Sequence, residues 1–156
     1  MNDDLIKSAK DIIEKTLYIT IATVSEDGQP WNTPVYSSYD EHYNFYWASH
    51  QEAQHSKNIR AKGNVFLVIY DSSVPEGQGE GVYIEATAQE LVDENDILRA
   101  ARHAYERKNQ SPRPVTDFQG NSPRRFYQAT PIKVWRNIDS SINGHFVDKR
   151  VEIQLN

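Results

Sequence analysis

The sequence predicts a mainly β fold with accessory helices, arranged as an antiparallel barrel. Apolar residues alternate with a period of two in about seven segments, and short runs of turn residues separate most of them. Three segments of helical character interrupt these strands. Strands joined by short turns favour a closed or nearly closed antiparallel barrel over a doubly wound parallel sheet.

Length and composition predict one globular domain over residues 1–156. Hydrophobic residues make up 38% of the chain and charged residues 25%, values that favour folding over disorder. The formal net charge of -5 makes nucleic acid an unfavourable partner, because phosphate backbones attract basic surfaces. The absence of cysteine excludes disulfides, thiolate metal sites and thiol nucleophiles.

The start of the sequence and its hydropathy predict a cytoplasmic protein that does not cross a membrane. Residues 1–15 carry acidic groups where a signal peptide has a basic region. No apolar run reaches the roughly 20 residues that a helix needs to span a bilayer. We therefore expect no membrane partner.

The first part of the chain predicts one helix followed by a meander of strands. Apolar residues at helical spacing predict an amphipathic helix over 3–14, and the period changes to two over 16–22. Turn residues over 25–30 separate that strand from a second strand over 31–39. A third strand follows over 43–47.

The middle of the chain predicts a short polar helix over 51–61, for which Gly63 provides the C-terminal stop. A continuous apolar run over 64–70 predicts a strand that is buried on both faces. A loop with glycine and proline over 71–81 then leads to a long alternating strand over 82–88.

A third helix and two closing strands complete the predicted fold. Asp93 is a suitable N-cap residue for the helix. Four apolar residues are expected to share its buried face: Ile97, Leu98, Ala101 and Tyr105. Alternation at Ile132 and Val134, and again over 151–155, predicts two closing strands around a turn at 143–144.

The polar residues predict no metal site and no activated serine. The five histidines lie on different predicted elements, and none has the spacing of a metal-ligand motif. The glycine pattern over 76–81 leads into a strand instead of a helix, and its glutamates would repel an anion, so we interpret it as a plain loop. No motif of a serine nucleophile is present.

Three fragments occur in an order and spacing that are typical of one family. They are TVSEDGQP over 23–30, YWAS over 46–49 and HSKNI over 55–59. Over residues 4–92 the chain resembles the pyridoxamine 5'-phosphate oxidase-like family, in particular its small bacterial members of the general stress protein kind. The resemblance implies a split β-barrel that binds flavin mononucleotide (FMN) between two copies of the chain.

The resemblance also implies a set of cofactor contacts. The phosphate would lie at the start of the helix that follows Ser49, where amides and side-chain donors can hold an anion. His55 stands where the family has a lysine or arginine, and a phosphate partner should raise its pKa. The ring would lie along the preceding strands, and the partner of a homodimer would present Trp135. The implied contacts are Asn32, Thr33, Trp47, Ala48, Ser49, Gln54, His55, Ser56 and Trp135.

Departures from the family pattern argue against a true pyridoxamine phosphate oxidase. Thr33 and Gly81 stand where the vitamin-converting oxidases have an arginine and a glutamine, and their substrate-closing stretch is not recognisable over 143–150. Trp47 and Trp135 suit core packing as well as flavin contact. No catalytic acid or base can be identified from the sequence.

The leading hypothesis is an oxidoreductase that uses FMN to transfer hydride or electrons to or from a small-molecule substrate, with a nicotinamide cofactor as a candidate reductant. The first alternative is a non-catalytic flavin-binding or stress-related binding protein, because cofactor contacts alone imply no turnover. The second alternative is a split barrel that holds a deazaflavin or haem, of which haem would need an axial ligand.

Overall fold

The computed structural model describes residues 2–156, so Met1 of the expected 1–156 domain lies outside the described residues. Within residues 2–156 the chain forms three α-helices, one short 3-10 helix and eight strands. The helices are α1 (Asn2–Lys15), α2 (Gln54–Ala61) and α3 (Glu94–Arg107), and the 3-10 helix is Val115–Phe118. The strands are β1 (Tyr18–Val24), β2 (Pro30–Tyr36), β3 (Ser38–Tyr39), β4 (Phe45–His50), β5 (Asn64–Tyr70), β6 (Gly81–Glu90), β7 (Arg124–Ile142) and β8 (His145–Ile153).

The strands form one antiparallel sheet in the order β2-β1-β5-β6-β7-β4-β3, and β8 pairs with the second half of β7. The expected mainly β fold with accessory helices is therefore confirmed. The barrel is not closed, because β2 and β3 are the edges of the sheet. Among residues 2–156, the only strand that pairs with β4 beyond Tyr46 is β7, although β2 lies close by. We call this gap between β2 and residues 47–50 the seam.

Two hydrophobic cores lie on opposite faces of the sheet. The inner core fills the barrel with alternate side chains of the strands, and Ala9 and Ile13 of α1 pack against it. The outer core lies between α3 and the other face of β4, where Tyr46, Phe118 and Phe126 are buried. Side chains alternate along a strand, so β4 contributes to both cores.

The predicted strand over 31–39 is two strands, β2 and β3, which Ser37 separates. The predicted third strand begins at Phe45 instead of Tyr43, because Tyr43 lies in a turn with φ 59°. The Asp40 carboxylate holds this turn by accepting hydrogen bonds from two of its amides. The turn is an Asx-type feature that strand periodicity does not reveal.

The buried face of α3 differs from the predicted one at a single position. The buried residues are Ile97, Ala100, Ala101, Ala104 and Tyr105. Leu98 is 47% exposed, so its expected place on the buried face is wrong. The small alanine side chains let the helix pack closely on their own side, and Leu98 lies at the margin of that stripe.

The first closing strand is longer than predicted and contains a β-bulge. β7 begins at Arg124, well before Ile132. Pro131 and Lys133 both have partners on β6, but Ile132 between them has none within the described chain and is 54% exposed. A bulge leaves the extra residue outside the regular alternation, so the expected inward position of Ile132 is wrong. Val134 returns to the core as predicted.

Candidate functional site

Helix α2 begins beside the seam with an uncapped first turn. Its N-cap residue, Ala53, has an extended backbone, and no side chain in the described part of the chain caps the helix there. The amide of Lys57 donates to the carbonyl of Ala53 at 3.0 Å, so the amides of residues 54–56 precede the first intrahelical bond. Such a helix N-terminus attracts anions through these amides and through the helix dipole.

Asn58 anchors α2 to the barrel. Its Nδ2 donates to Thr23 Oγ1 on β1 at 2.9 Å, and both side chains are buried. Its Oδ1 accepts a hydrogen bond from Gln54 Nε2 at 2.8 Å, which holds the Gln54 amide beside the first turn. Asn58 lies in one of the family fragments. The contact between Gln54 and Asn58 could have been predicted from their spacing of four residues, because such residues are neighbours on a helix.

His55 is buried at the start of α2, with 6% of its surface exposed. Its Nε2 lies 2.9 Å from Ser49 Oγ at the end of β4. Burial lowers the pKa of His55 below its ordinary value of 6.5, so the imidazole is neutral at neutral pH. The structure thus brings two of the predicted contacts together as a neutral hydrogen-bonded pair.

Trp47 and Ser56 point into the barrel. Trp47 stacks on Tyr127 with ring centroids 5.8 Å apart, and its Nε1 has no hydrogen-bond partner within residues 2–156. Burial raises the pKa of the Tyr127 phenol to about 12, and the nearby Ser56 hydroxyl opposes part of that rise. Ser56 Oγ still makes no hydrogen bond of good geometry with any described residue. The Trp47 side chain packs in the core, so a ligand in the seam would meet its main chain instead.

A polar network centred on Glu90 contacts α2. Glu90 at the end of β6 accepts hydrogen bonds from Arg60 Nη1 and from Tyr127 Oη, each at 3.0 Å. Its other carboxylate oxygen lies 3.5 Å from Arg125 Nε. The network joins α2 to β6 and β7, and so fixes the orientation of the helix relative to the barrel.

A cavity of about 390 Å³ adjoins the first turn of α2. It is lined by residues of the β1–β2 turn, by Trp31 at the start of β2, and by Gln54 and Asn58. Trp31 is half-exposed and offers an aromatic face beside these polar donors. Sequence reasoning missed Trp31, although it directly follows the turn fragment 23–30.

Asn32 and Thr33 lie on β2 at the seam and face opposite sides of the sheet. Thr33 is opposite Ile21, whose side chain fills the barrel, whereas Asn32 is exposed on the outer face. Neighbouring side chains on a strand point to opposite faces, so one ring placed on one side cannot contact both of them. The same holds for the side chains of Ala48 and Ser49 on β4.

Trp135 lies away from the seam, on the outer face of the sheet. It stacks on Phe66 with ring centroids 6.2 Å apart and is paired with Tyr83 in the β6–β7 ladder. The Arg150 guanidinium covers the Tyr83 ring at 3.8 Å. We call Phe66, Tyr83, Trp135 and Arg150 the outer aromatic cluster. A contact between Trp135 and a ligand in the seam would therefore require a second chain.

Sequence comparison identifies the family to which the chain belongs. The family profile described as pyridoxamine 5'-phosphate oxidase matches residues 5–137, which is most of the chain. The chain belongs to the pyridoxamine 5'-phosphate oxidase family. This confirms the resemblance inferred from the three fragments, although no curated protein matches the chain in sequence. The match ends within β7, so the tip of the β7–β8 hairpin lies beyond it.

Solved structures share the fold of this family member at low sequence identity. Campylobacter jejuni ChuZ has a TM-score of 0.72 at 9% identity, over 93% of this chain and 62% of that chain. A heme binding protein from Mycobacterium smegmatis has a TM-score of 0.68 at 14% identity, over 93% and 57% of the two chains. A FAD-binding protein from Mesorhizobium loti has a TM-score of 0.61 at 18% identity, over 82% and 90%. These likenesses show the split-barrel fold alone.

Two further findings concern membranes and metals. No helix in residues 2–156 of this family member is both long and apolar enough to cross a bilayer. The described residues also contain no group of three or more His, Cys, Asp or Glu side chains that could hold a metal ion.

Proposed function

We propose that the chain binds FMN at the seam, with the phosphate at the first turn of α2. The observation that carries this proposal is the uncapped first turn, whose amides over 54–56 precede the first intrahelical bond. The Gln54 side-chain amide, which Asn58 Oδ1 holds beside this turn at 2.8 Å, adds a further donor there. These donors fit phosphate oxygens, which accept several hydrogen bonds at once.

The attraction at this site comes from neutral donors and the helix dipole. The nearby cations already have partners, since Lys57 pairs with Glu52 at 3.2 Å and Arg60 with Glu90 at 3.0 Å. His55 is neutral in the free protein because burial lowers its pKa. A bound phosphate would favour the charged imidazole, so binding would raise that pKa again. Affinity for FMN would then be coupled to proton uptake at His55.

The ring of the flavin would lie along the seam. Residues 47–50 of β4 have no strand partner on the side that faces β2 within the described chain, so main-chain groups there are available to the pyrimidine edge. Trp31 offers an aromatic face at the adjoining cavity. Bound FMN supplies hydride or electron transfer, and the residues of the chain bind and orient it.

The reaction we propose is a hydride or electron transfer with a small-molecule substrate in the cytoplasm, with a nicotinamide cofactor as the reductant. Structural neighbours are named for heme and for FAD, so the fold does not select the cofactor. The first turn of α2 favours a flavin that bears a phosphate. A non-catalytic flavin-binding protein would have the same contacts, and turnover separates the two functions.

The proposal includes a two-fold symmetric homodimer. The outer aromatic cluster presents Phe66, Tyr83 and Trp135 half-buried on the outer face of the sheet. A face of this kind is typical of a surface that a second copy covers, and a two-fold axis would bring each Trp135 towards the other chain. The partner would then complete each flavin site.

The absorption spectrum of the purified protein tests the proposal. We expect a flavin spectrum, or one that appears after addition of FMN, and anaerobic bleaching by a reduced nicotinamide cofactor. A flavin spectrum without bleaching would support the binding function and contradict the nicotinamide-dependent reaction. A haem spectrum that added FMN does not displace would contradict both.

A further inference from the structure

A buried arginine lies at the end of the barrel remote from α2. Arg136 on β7 is 2% exposed. Its Nε and Nη2 donate to Ser8 Oγ on α1 at 3.3 and 2.9 Å, and its Nη1 donates to the Asn137 carbonyl and side-chain oxygens at 2.7 and 2.6 Å. These neutral partners sit on regular elements, α1 and β7. They hold the guanidinium in place but leave its charge uncompensated.

The compensating charge comes from an exposed loop. Glu80 Oε1 lies 2.7 Å from Arg136 Nη2, and Glu80 Oε2 accepts a hydrogen bond from Ser8 Oγ at 3.2 Å. The Glu80 side chain is 61% exposed and ends the loop of residues 71–80, all of which are exposed. Burial of an unpaired guanidinium is costly, so this position strongly favours an anion. The Glu80 carboxylate shows which kind of anion the position accepts.

A cavity of about 250 Å³ adjoins this ion pair. Leu5 of α1, residues 77–80 of the loop and residues 136–139 of β7 line it. The cavity gives a small molecule access to the guanidinium once Glu80 turns outwards. Asp139 lies on the lining as well, which disfavours anions of high charge.

We propose that Arg136 and Ser8 form a binding site for small singly charged carboxylates, and that Glu80 occupies it as an internal ligand. An external carboxylate competes with Glu80 for the same two donors. When the external carboxylate binds, Glu80 turns into solvent and the 71–80 loop loses the ion pair that attaches it to the barrel. This site is separate from the seam and does not depend on flavin binding.

Replacement of Glu80 by alanine tests the site directly, because acetate is the fragment that the substitution removes. We expect E80A to melt at a lower temperature than the wild type and acetate to restore its Tm saturably, by about 2 to 4 °C. Acetamide, which has the same shape without the charge, should not restore it. Glu76→Ala in the same loop is the matched control and should show neither the loss nor the recovery. Equal responses to acetate and acetamide, or no saturable response, would overturn the proposed site.

A second measurement tests displacement in the wild type. Cleavage by a glutamate-specific endopeptidase should increase in the 71–80 loop as acetate is raised, because Glu80 leaves its partners. Acetamide at equal concentration, and the cleavage rate of the denatured chain in acetate, control for effects on the protease. If E80A recovers with acetate but acetate does not increase cleavage of the wild-type loop, Glu80 is only a structural partner and the proposed exchange is wrong.

Discussion

We expect His55 to make the affinity for FMN depend on pH. The structure buries it against Ser49, and burial lowers the pKa of its imidazole. A phosphate bound at the first turn of α2 would raise that pKa, so FMN binding would take up a proton. The affinity is then highest below the pKa of the free protein and declines as the pH rises through the pKa of the bound form.

His55→Ala should weaken FMN binding by about ten-fold or more, because a charge-assisted hydrogen bond to phosphate is lost. Riboflavin binding should hardly change. His55→Lys should recover the affinity and flatten its pH dependence, since lysine keeps its charge across this range. Fluorescence titration of the three proteins at several pH values measures both effects.

His42→Ala is the matched control, because His42 is exposed and lies in the turn before β4. FMN carries its own titrating phosphate in every titration, so only differences between variants report on His55. Unchanged affinity and unchanged pH dependence in His55→Ala would show that His55 does not contact the phosphate.

The free protein should lose stability in mild acid because of the same residue. The pKa of His55 is lower in the folded state than its ordinary 6.5. The contribution to stability is therefore complete above pH 6.5 and is lost as the pH falls through the lowered value. Urea unfolding without FMN should show a smaller loss in His55→Gln, which keeps a hydrogen-bonding partner for Ser49. An identical acid profile in both proteins would contradict the buried neutral state.

At the residue scale the sequence identified the family but not the surroundings of individual side chains. The order of the three fragments identified the family and the start of α2. Burial of His55 and the packing of Trp47 on Tyr127 depend on where β4 meets β7, and contacts between distant strands leave no local pattern. Trp31 was missed because a half-exposed aromatic is common on any surface.

At the element scale, the uncapped start of α2 leads to a prediction about both protein stability and FMN affinity. Ala53→Asp should stabilise the protein by about 1 kcal/mol, because the carboxylate would cap the first turn and interact with the helix dipole. The same carboxylate would compete with phosphate for the amides of residues 54–56 and repel it. FMN affinity should therefore fall by about ten-fold or more while Tm rises.

Thermal melting and FMN titration of the same preparation separate these two effects. Ala53→Ser is the matched control, since its neutral hydroxyl caps the helix without repelling phosphate. Riboflavin should bind Ala53→Asp as it binds the wild type. An Ala53→Asp protein that keeps wild-type FMN affinity would show that the phosphate lies elsewhere.

The elements that sequence predicted well are those with local determinants. Asp93 caps α3 as expected, with its carboxylate accepting from the amides of Asn95 and Asp96 at 2.9 and 3.3 Å. The separation of β2 from β3 and the bulge at Ile132 depend on which strands lie alongside, and a period of two contains no such information.

For the whole molecule we predict a homodimer with a mass about twice 18.0 kDa. Trp135→Asp should give a monomer, because it places a charge in the outer aromatic cluster, and should weaken FMN binding by about ten-fold or more. Light scattering coupled to size-exclusion chromatography measures the mass. Leu98→Asp, on the exposed side of α3, is the control and should remain dimeric. A monomer that holds FMN tightly would contradict the two-chain site.

The antiparallel barrel architecture could be predicted from the sequence, but the position of the seam could not. Alternation and turn chemistry predict a mainly β antiparallel barrel, and the structure confirms that fold class. The seam exists because β3 is two residues long and leaves residues 47–50 of β4 without a partner on that side in the described chain. Strand lengths are set by packing across the sheet, so the position of the seam had to come from the structure.

The central claim is that the first turn of α2 recognises the phosphate of a flavin. Fluorescence titration of the wild-type protein with FMN and with riboflavin at neutral pH tests it most directly, since the two ligands differ only in that phosphate. We predict that FMN binds at least about ten-fold more tightly than riboflavin. Equal affinities for the two ligands would contradict the role assigned to α2.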